Sequence, residues 1–309
     1  MSDFVQQQHT ICNFSNEESW VILSPIEQSI KQKIESVGTP LKDWDIKIYR
    51  GVLTGYNDAF IISTDKRNEI LANCQTEDER LRTVELIRPI LRGRDIKRYG
   101  YNWADLWLIA TFPSRHYDIE MYPAVKTHLL SFGKERLEQT GKKYIINGEE
   151  VKARKKTSNK WFETQDSISY WDDFNQPKIV FQEIVQESQF LLDANENFFC
   201  NDTGRIIVGK HLYHLLGILN SELFFFSVKH FYGGGVLGEH GIRMKHTFFE
   251  NFPCLAFDER IESIAKKLQQ FYSNTLSQNL NDYIMTLYQL TDEEKLYIKG
   301  KLIQFSQNQ

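Results

Sequence analysis

The chain has 309 residues, 41% hydrophobic and 25% charged, with a formal net charge of −4, enough for a sizeable core and roughly two domains. No apolar run reaches the roughly 18 residues of a membrane helix, and Met1-Ser2-Asp3-Phe4 opens no signal-peptide pattern, so a cytoplasmic protein without a membrane partner is expected. Cys12, Cys74, Cys200 and Cys254 show no Cys-x-x-Cys spacing, which argues against a disulfide or zinc framework and for four buried thiols in a reducing cytosol.

In chain order, Ser24-Pro25-Ile26-Glu27 reads as a helix start, with serine at the N-cap, proline at the first helical position and glutamate at N3. Ile26, Ile30, Ile34 and Val37 share one face, and Gly38 followed by Pro40 ends the helix. Ile46-Lys47-Ile48-Tyr49 alternates like a strand, with Ala59-Phe60-Ile61-Ile62 as its return strand. Thr76 and Glu79 form a capping box for a helix that stops near Arg88-Pro89. Leu106 to Ala110 is a buried strand, Pro123 opens a helix through Leu137, and Thr140 to Asn159 is a basic hairpin or exposed loop. Strands are expected at 178–185, 190–193 and 205–208, and His211 to Lys229 reads as one buried helix broken by Gly233-Gly234-Gly235. Beyond Pro253 the spacing of Ile261, Ile264, Leu268 and Phe271, then Leu280, Ile284 and Leu287, predicts amphipathic helices, with Thr291 and Glu294 capping the last.

Charge is unevenly spread. Between Val84 and Lys160, 16 lysines and arginines stand against 9 aspartates and glutamates, an excess of seven; the remainder holds 21 against 32, a deficit of eleven. A basic middle in an acidic chain is the pattern of a DNA-facing surface, or of a solvated charged face.

Two glycine cassettes lie in or before that basic region. In Arg50-Gly51-Val52-Leu53-Thr54-Gly55-Tyr56-Asn57, Gly51 and Gly55 free the backbone, and Thr54 and Asn57 offer small hydrogen-bonding groups to a phosphate or base edge. The alternative is an ordinary hairpin turn closed by Asn57. In the second, Arg92, Gly93, Arg94, Asp95, Lys97 and Arg98 place four cations within seven residues; Asp95 can hold a neighbouring arginine or accept from cytosine N4. A surface ion-pair cluster is the alternative there. Lys152, Arg154, Lys155 and Lys156, beside Lys160-Trp161, suit non-specific phosphate contact. Lys178 and Gln182 flank an apolar strand, where a glutamine can read adenine or simply end the strand, and Arg243 and Lys245 follow the glycine run.

Catalytic constellations are sparse. His211-x-x-His214 lies within an apolar stretch and reads as core. Asp118, Glu150 and Lys152 loosely imitate a magnesium-dependent nuclease group, which leaves a restriction endonuclease as an alternative. A protein-interaction module that docks a partner through the tail is the other.

Several segments, in order, resemble the TaqI-like specificity domain of adenine-N6 DNA methyltransferases and combined restriction–modification enzymes. They are Asp43-Trp44-Asp45-Ile46 before the first cassette, Arg88-Pro89-Ile90-Leu91-Arg92-Gly93-Arg94-Asp95-Ile96, Pro177-Lys178-Ile179-Val180-Phe181-Gln182-Glu183, Leu216-Gly217-Ile218-Leu219-Asn220-Ser221-Glu222-Leu223, Phe249-Glu250-Asn251-Phe252-Pro253 and the closing Leu287 to Glu294. The resemblance implies a non-catalytic, α+β target recognition domain with mixed or antiparallel sheets, a helical C-terminal appendage, and double-stranded DNA as its partner. It divides the chain into a linker at 1–40 leading from a missing catalytic domain, a reader at 41–255 and helices at 256–309. The Asn/Asp-Pro-Pro-Tyr/Phe motif and the glycine-bearing cofactor motif of the methyltransferase are absent. S-adenosylmethionine is therefore expected in a missing or partner methyltransferase, with a homodimer through the C-terminal helices as a further possibility.

Overall fold

The computed structural model describes residues 23–233 and 241–307. Met1 to Ile22, including Cys12, and the glycines Gly234 and Gly235 lie outside the described residues. The chain divides into two compact units, one made of Lys47–Gln182 and Leu191–Gly209, the other of Met1–Ile46, Glu183–Phe190 and Lys210–Gln309.

The first unit carries two four-stranded sheets. One runs in the order Phe190–Asp193, Lys178–Gln182, Gly204–Gly209, Ile46–Arg50. Its central pair is antiparallel, with Ile179 opposite Ile207 and Phe181 opposite Arg205. Both central strands are covered on both faces, which is why Ile179-Val180-Phe181 and Ile206-Ile207-Val208 are continuous apolar runs instead of alternating ones. The other sheet runs Phe199–Cys200, Ile87–Leu91, Leu106–Ile109, Ile61–Ser63. It is mixed: Ile87–Leu91 is antiparallel to Leu106–Ile109 and parallel to Phe199–Cys200. Phe60, Phe112, Phe174, Phe199, Leu108, Val125 and Leu129 are among its fully buried core side chains.

Strands Ile46–Arg50 and Ile61–Ser63 therefore belong to different sheets, and the first cassette is not the loop of a hairpin. The second strand pairs with Leu106–Ile109. Helix Glu77–Leu86 begins at the expected cap: Glu79 N–H donates to Thr76 Oγ1 at 3.1 Å. The buried Glu79 carboxylate accepts from Gln75 N–H and, at 2.9 Å, from Ala124 N–H at the start of helix Pro123–Leu130. That helix stops short of Leu137; Gly133, at φ +84°, separates it from the turn Lys134–Leu137.

A hairpin does form in the basic stretch, joining Lys143–Ile146 to Glu149–Lys152. Asn147 and Gly148 both have positive φ, 51° and 84°, the backbone of a two-residue primed turn whose twist matches the strands.

In the second unit, helix Pro25–Val37 shows the full reciprocal capping box between Ser24 and Glu27. The expected single helix from His211 to Lys229 is instead two helices, Leu212–Leu219 and Glu222–Ser227, followed by a π-helical turn Val228–Tyr232. Asn220 breaks it, because its side-chain amide pairs both ways with the backbone of Phe190, at 2.8 and 3.1 Å. Ser221 then caps the next helix. His214 is fully buried, with Nε2 3.1 Å from Leu255 O and its ring stacked on Trp44. Helices Glu259–Gln270, Asn274–Leu287 and Asp292–Gln307 complete the unit. Glu294 ties the last to the first helix by accepting from Ser29 Oγ and Lys33 Nζ, each at 2.7 Å. The α+β class, with mixed and antiparallel sheets and C-terminal helices, is the expected one. No helix among the described residues is long and apolar enough to cross a membrane.

Of the thiols, Cys200 and Cys254 are buried and Cys74 only half-buried; all three are free. Burial pushes the Cys200 thiol up to about 12, so it is inert at neutral pH.

Candidate nucleic-acid interface

In the first unit the two glycine cassettes meet on a third segment, the turn Asn201-Asp202-Thr203-Gly204 between strands Phe199–Cys200 and Gly204–Gly209. Gly204 N–H closes the turn on Asn201 O at 2.8 Å. From the first cassette, Val52 N–H donates to Cys200 O at 2.7 Å and Gly51 N–H to Gly204 O at 2.9 Å. From the second, Leu91 O accepts from Asn201 N–H at 3.1 Å and Gly93 N–H donates to Thr203 Oγ1 at 3.3 Å.

This contact accounts for the glycines. A Cβ on Gly51 would stand 1.9 Å from Asn201 O, and one on Gly93 would stand 2.8 Å from Thr203 Oγ1 and 3.1 Å from Gln182 Cγ. The backbone does come close to something, as the glycines demand. That something is the chain's own turn.

Arg92 is fixed beside the turn. Its Nε and Nη2 donate to the two oxygens of Asp95, at 3.0 and 2.8 Å, while its backbone N–H also donates to Oδ2 at 2.9 Å. Asp95 is 4% exposed, so the pair is anchored from beneath, and the Asp95 hydrogen bond raises the Arg92 guanidinium above its ordinary range. Nη1 has no acceptor among the described residues. A guanidinium whose Nε side is clamped presents its outer edge in one orientation, suited to a bidentate contact with guanine or phosphate.

Arg50 is exposed on the end of its strand, 3.9 Å from Asp166. Tyr170 positions it, donating its hydroxyl to Arg50 O at 2.8 Å and stacking on Tyr49 with ring centroids 4.3 Å apart. Burial raises the Asp166 carboxyl; Arg50 pulls it down and the nearby Asp202 charge adds to the rise. Gln182 lies over Gly93. Arg94 is exposed, its carbonyl accepting from Lys97 Nζ at 2.8 Å, and the Arg98 guanidinium lies 5.8 Å from the Tyr99 ring centroid. On the hairpin, Lys143, Ile145, Glu150 and Lys152 share the outer face, with a 2.9 Å ion pair between Lys143 and Glu150; Lys152, Lys155 and Lys156 are all exposed.

Two expected DNA-contacting cations are not available. Arg154 is 4% exposed and donates to the carbonyls of Leu137, Thr54, Glu163 and Trp161, at 2.7–2.8 Å, stitching the root of the hairpin to the first cassette. Burial lowers its guanidinium to about 10. Lys178 is fully buried and paired with Asp193 at 2.7 Å, donating also to Phe174 O. Thr54 is buried too, its hydroxyl donating to Asn57 Oδ1 at 2.6 Å, so of that pair only Asn57 faces solvent. Arg243 and Lys245 belong to the second unit, where Arg243 is ion-paired with Glu183 at 3.3 Å and Lys245 is half-buried.

Asp118 caps the short 3-10 turn Ile119–Met121, and Glu150 is held by Lys143. Among the described residues no three His, Cys, Asp or Glu side chains gather as a metal site. The segment that sequence reasoning missed is Asn201-Asp202-Thr203. Its signal is a run of turn-forming residues ending in glycine between two apolar stretches.

The profile of a family described as the TaqI-like C-terminal specificity domain matches residues 88–253, more than half of the chain. None of the curated proteins matches it. Among solved structures, the type IIL restriction-modification enzyme MmeI, determined in complex with DNA, has a TM-score of 0.55 at 12% identity; the match covers 87% of this chain and 36% of MmeI. The type IIG restriction endonuclease BpuSI gives 0.49 at 11% identity, covering 85% of this chain and 32% of BpuSI. The chain thus spans about a third of the length of each. The MmeI likeness is one of fold, and membership rests on the sequence profile: the chain belongs to the TaqI-like C-terminal specificity domain family.

Proposed function

We propose that the chain recognises a short duplex DNA sequence for the adenine-N6 methyltransferase of a restriction–modification system, within the cell's defence against phage. The observation that carries this reading is the clamped arginine: Arg92, locked by a nearly buried Asp95, offers one guanidinium edge outward in a family of specificity domains. Fixing an arginine before the ligand arrives reduces the ordering cost of binding and gives one base geometry an advantage over others.

The work divides. Arg50, Arg92, Arg94, Asn57 and Gln182 contact base edges or the backbone beside them, with Lys97 and Arg98 at the flank. Lys152, Lys155 and Lys156 grip phosphates and set register without reading sequence. The motifs that hold S-adenosylmethionine and the target adenine are absent from the sequence, so no step of methyl transfer is assigned to these residues; the cofactor belongs to a modification domain or subunit. The C-terminal helices, with Leu296 and Ile303 exposed on the last, are assigned the docking of that partner.

The test is selection from a randomised duplex pool at low and moderate salt, followed by sequencing of what is retained. Enrichment of one short motif is expected. Retention of no duplex at either salt, or retention without enrichment, would overturn sequence reading by this chain.

A further inference from the structure

We infer that the turn Asn201-Asp202-Thr203-Gly204 is itself a base-reading element, in which Asn201 contacts an adenine and Thr203 positions it. The inference rests on the DNA-reading function proposed above.

Besides the turn's own closing bond, three backbone bonds and one bond to a side chain hold this turn and its leading residue Cys200 from both sides, and both cassettes give up a Cβ to admit it. That is a large structural investment in a four-residue connection, since most turns of this length need only their own hydrogen bond. The result is a rigid platform. At its centre Thr203 Oγ1 accepts from Gly93 N–H and donates to Asn201 Oδ1 at 2.8 Å. The hydroxyl thus fixes which way the Asn201 amide faces. Nδ2 keeps both of its N–H donors without an acceptor among the described residues, and Oδ1 keeps a second lone pair. An asparagine amide with a donor and an acceptor side by side pairs with adenine N7 and N6 in the major groove. Asn201 and Asp202 are half-exposed and Thr203 is exposed.

The surroundings agree. Gln182 and the loop of the clamped Arg92 reach the turn from one side through Gly93, and Arg50 and Asp166 lie toward Asp202 on the other. Residues scattered from Arg50 to Gln182 in sequence converge on a segment that none of the recognisable motifs includes. Thr203 is the positioning residue here, because its polar atoms are already engaged within the protein.

The experiment repeats the pool selection with the full chain carrying Asn201→Ser, Thr203→Val or Thr203→Ser. Asn201→Ser keeps a turn-forming residue but loses the amide. It should reduce discrimination at one A·T pair of the selected motif by about tenfold or more, leaving the other positions and the salt slope unchanged. Thr203→Val should weaken the same position, and Thr203→Ser should restore it; a merely structural threonine would affect all positions alike. If the wild type enriches a motif and a normally melting Asn201→Ser enriches the same motif with the same weights, this inference fails while the reading of function stands. If the wild type enriches none, both fail. Should Asn201→Ser not fold, Asn201→Asp decides, since it keeps the acceptor for Thr203 and removes the donors: an unaltered A·T preference would overturn the assignment.

Discussion

The two arginines Arg92 and Arg154 carry the same charge and opposite tasks, and burial separates them. Arg92 keeps one edge in solvent, so Arg92→Lys should retain non-specific binding but lose discrimination at one base pair, about 1–3 kcal/mol, because an ammonium cannot make the bidentate contact or the Asp95 fork. Competition binding with single-base variants of the selected site checks this. Arg154 spends its N–H groups on four carbonyls in the interior. Arg154→Met should lower stability by about 2–4 kcal/mol in urea unfolding, since it leaves the buried carbonyls of Leu137 and Thr54 without their donor.

At the scale of elements, the glycine cassettes act as seats for a turn. Gly51→Ala puts a methyl into the Asn201 carbonyl, backbone against which no rotamer change helps. It should cost about 1–3 kcal/mol of stability and, because the turn must shift, weaken motif enrichment more than non-specific retention. The hairpin behaves differently. Lys155 is exposed, and Lys155→Ala should weaken binding to all duplexes about equally and reduce the slope of log K against log salt by about one. A change of preferred sequence on Lys155→Ala would show that its assignment to phosphate is wrong.

For the whole molecule, pH is the informative variable. His128, His214 and His230 are each held below the ordinary imidazole value of 6.5, in every case chiefly by burial. The unfolded chain therefore takes up protons that the folded chain refuses. Stability from these groups is complete above about pH 6.5 and falls as pH drops below it. Urea midpoints at pH 8.5, 7.5 and 5 should be level between the first two and lower at the third. An unchanged midpoint at pH 5 would mean that the three imidazoles are solvated.

Much was legible where local chemistry decides. The caps at Ser24 and Thr76, the central strands and the final helices follow from residue types within a few positions of one another, as does Asp95 holding Arg92 three residues away. Solvent exposure of Arg154 and Lys178 was not legible, because a lysine or arginine in a basic run looks the same whether four carbonyls or water receive its protons. The long helix expected from His211 was lost to Asn220, whose partner Phe190 lies 30 residues earlier. The sequence by itself determined the α+β class, the family resemblance and the basic middle, since these depend on composition and short patterns. Only the tertiary structure decided that strands on either side of the first cassette join different sheets, and that Gly51 and Gly93 close on Asn201 and Thr203. Contacts across more than a hundred residues arise from packing, which no local pattern records.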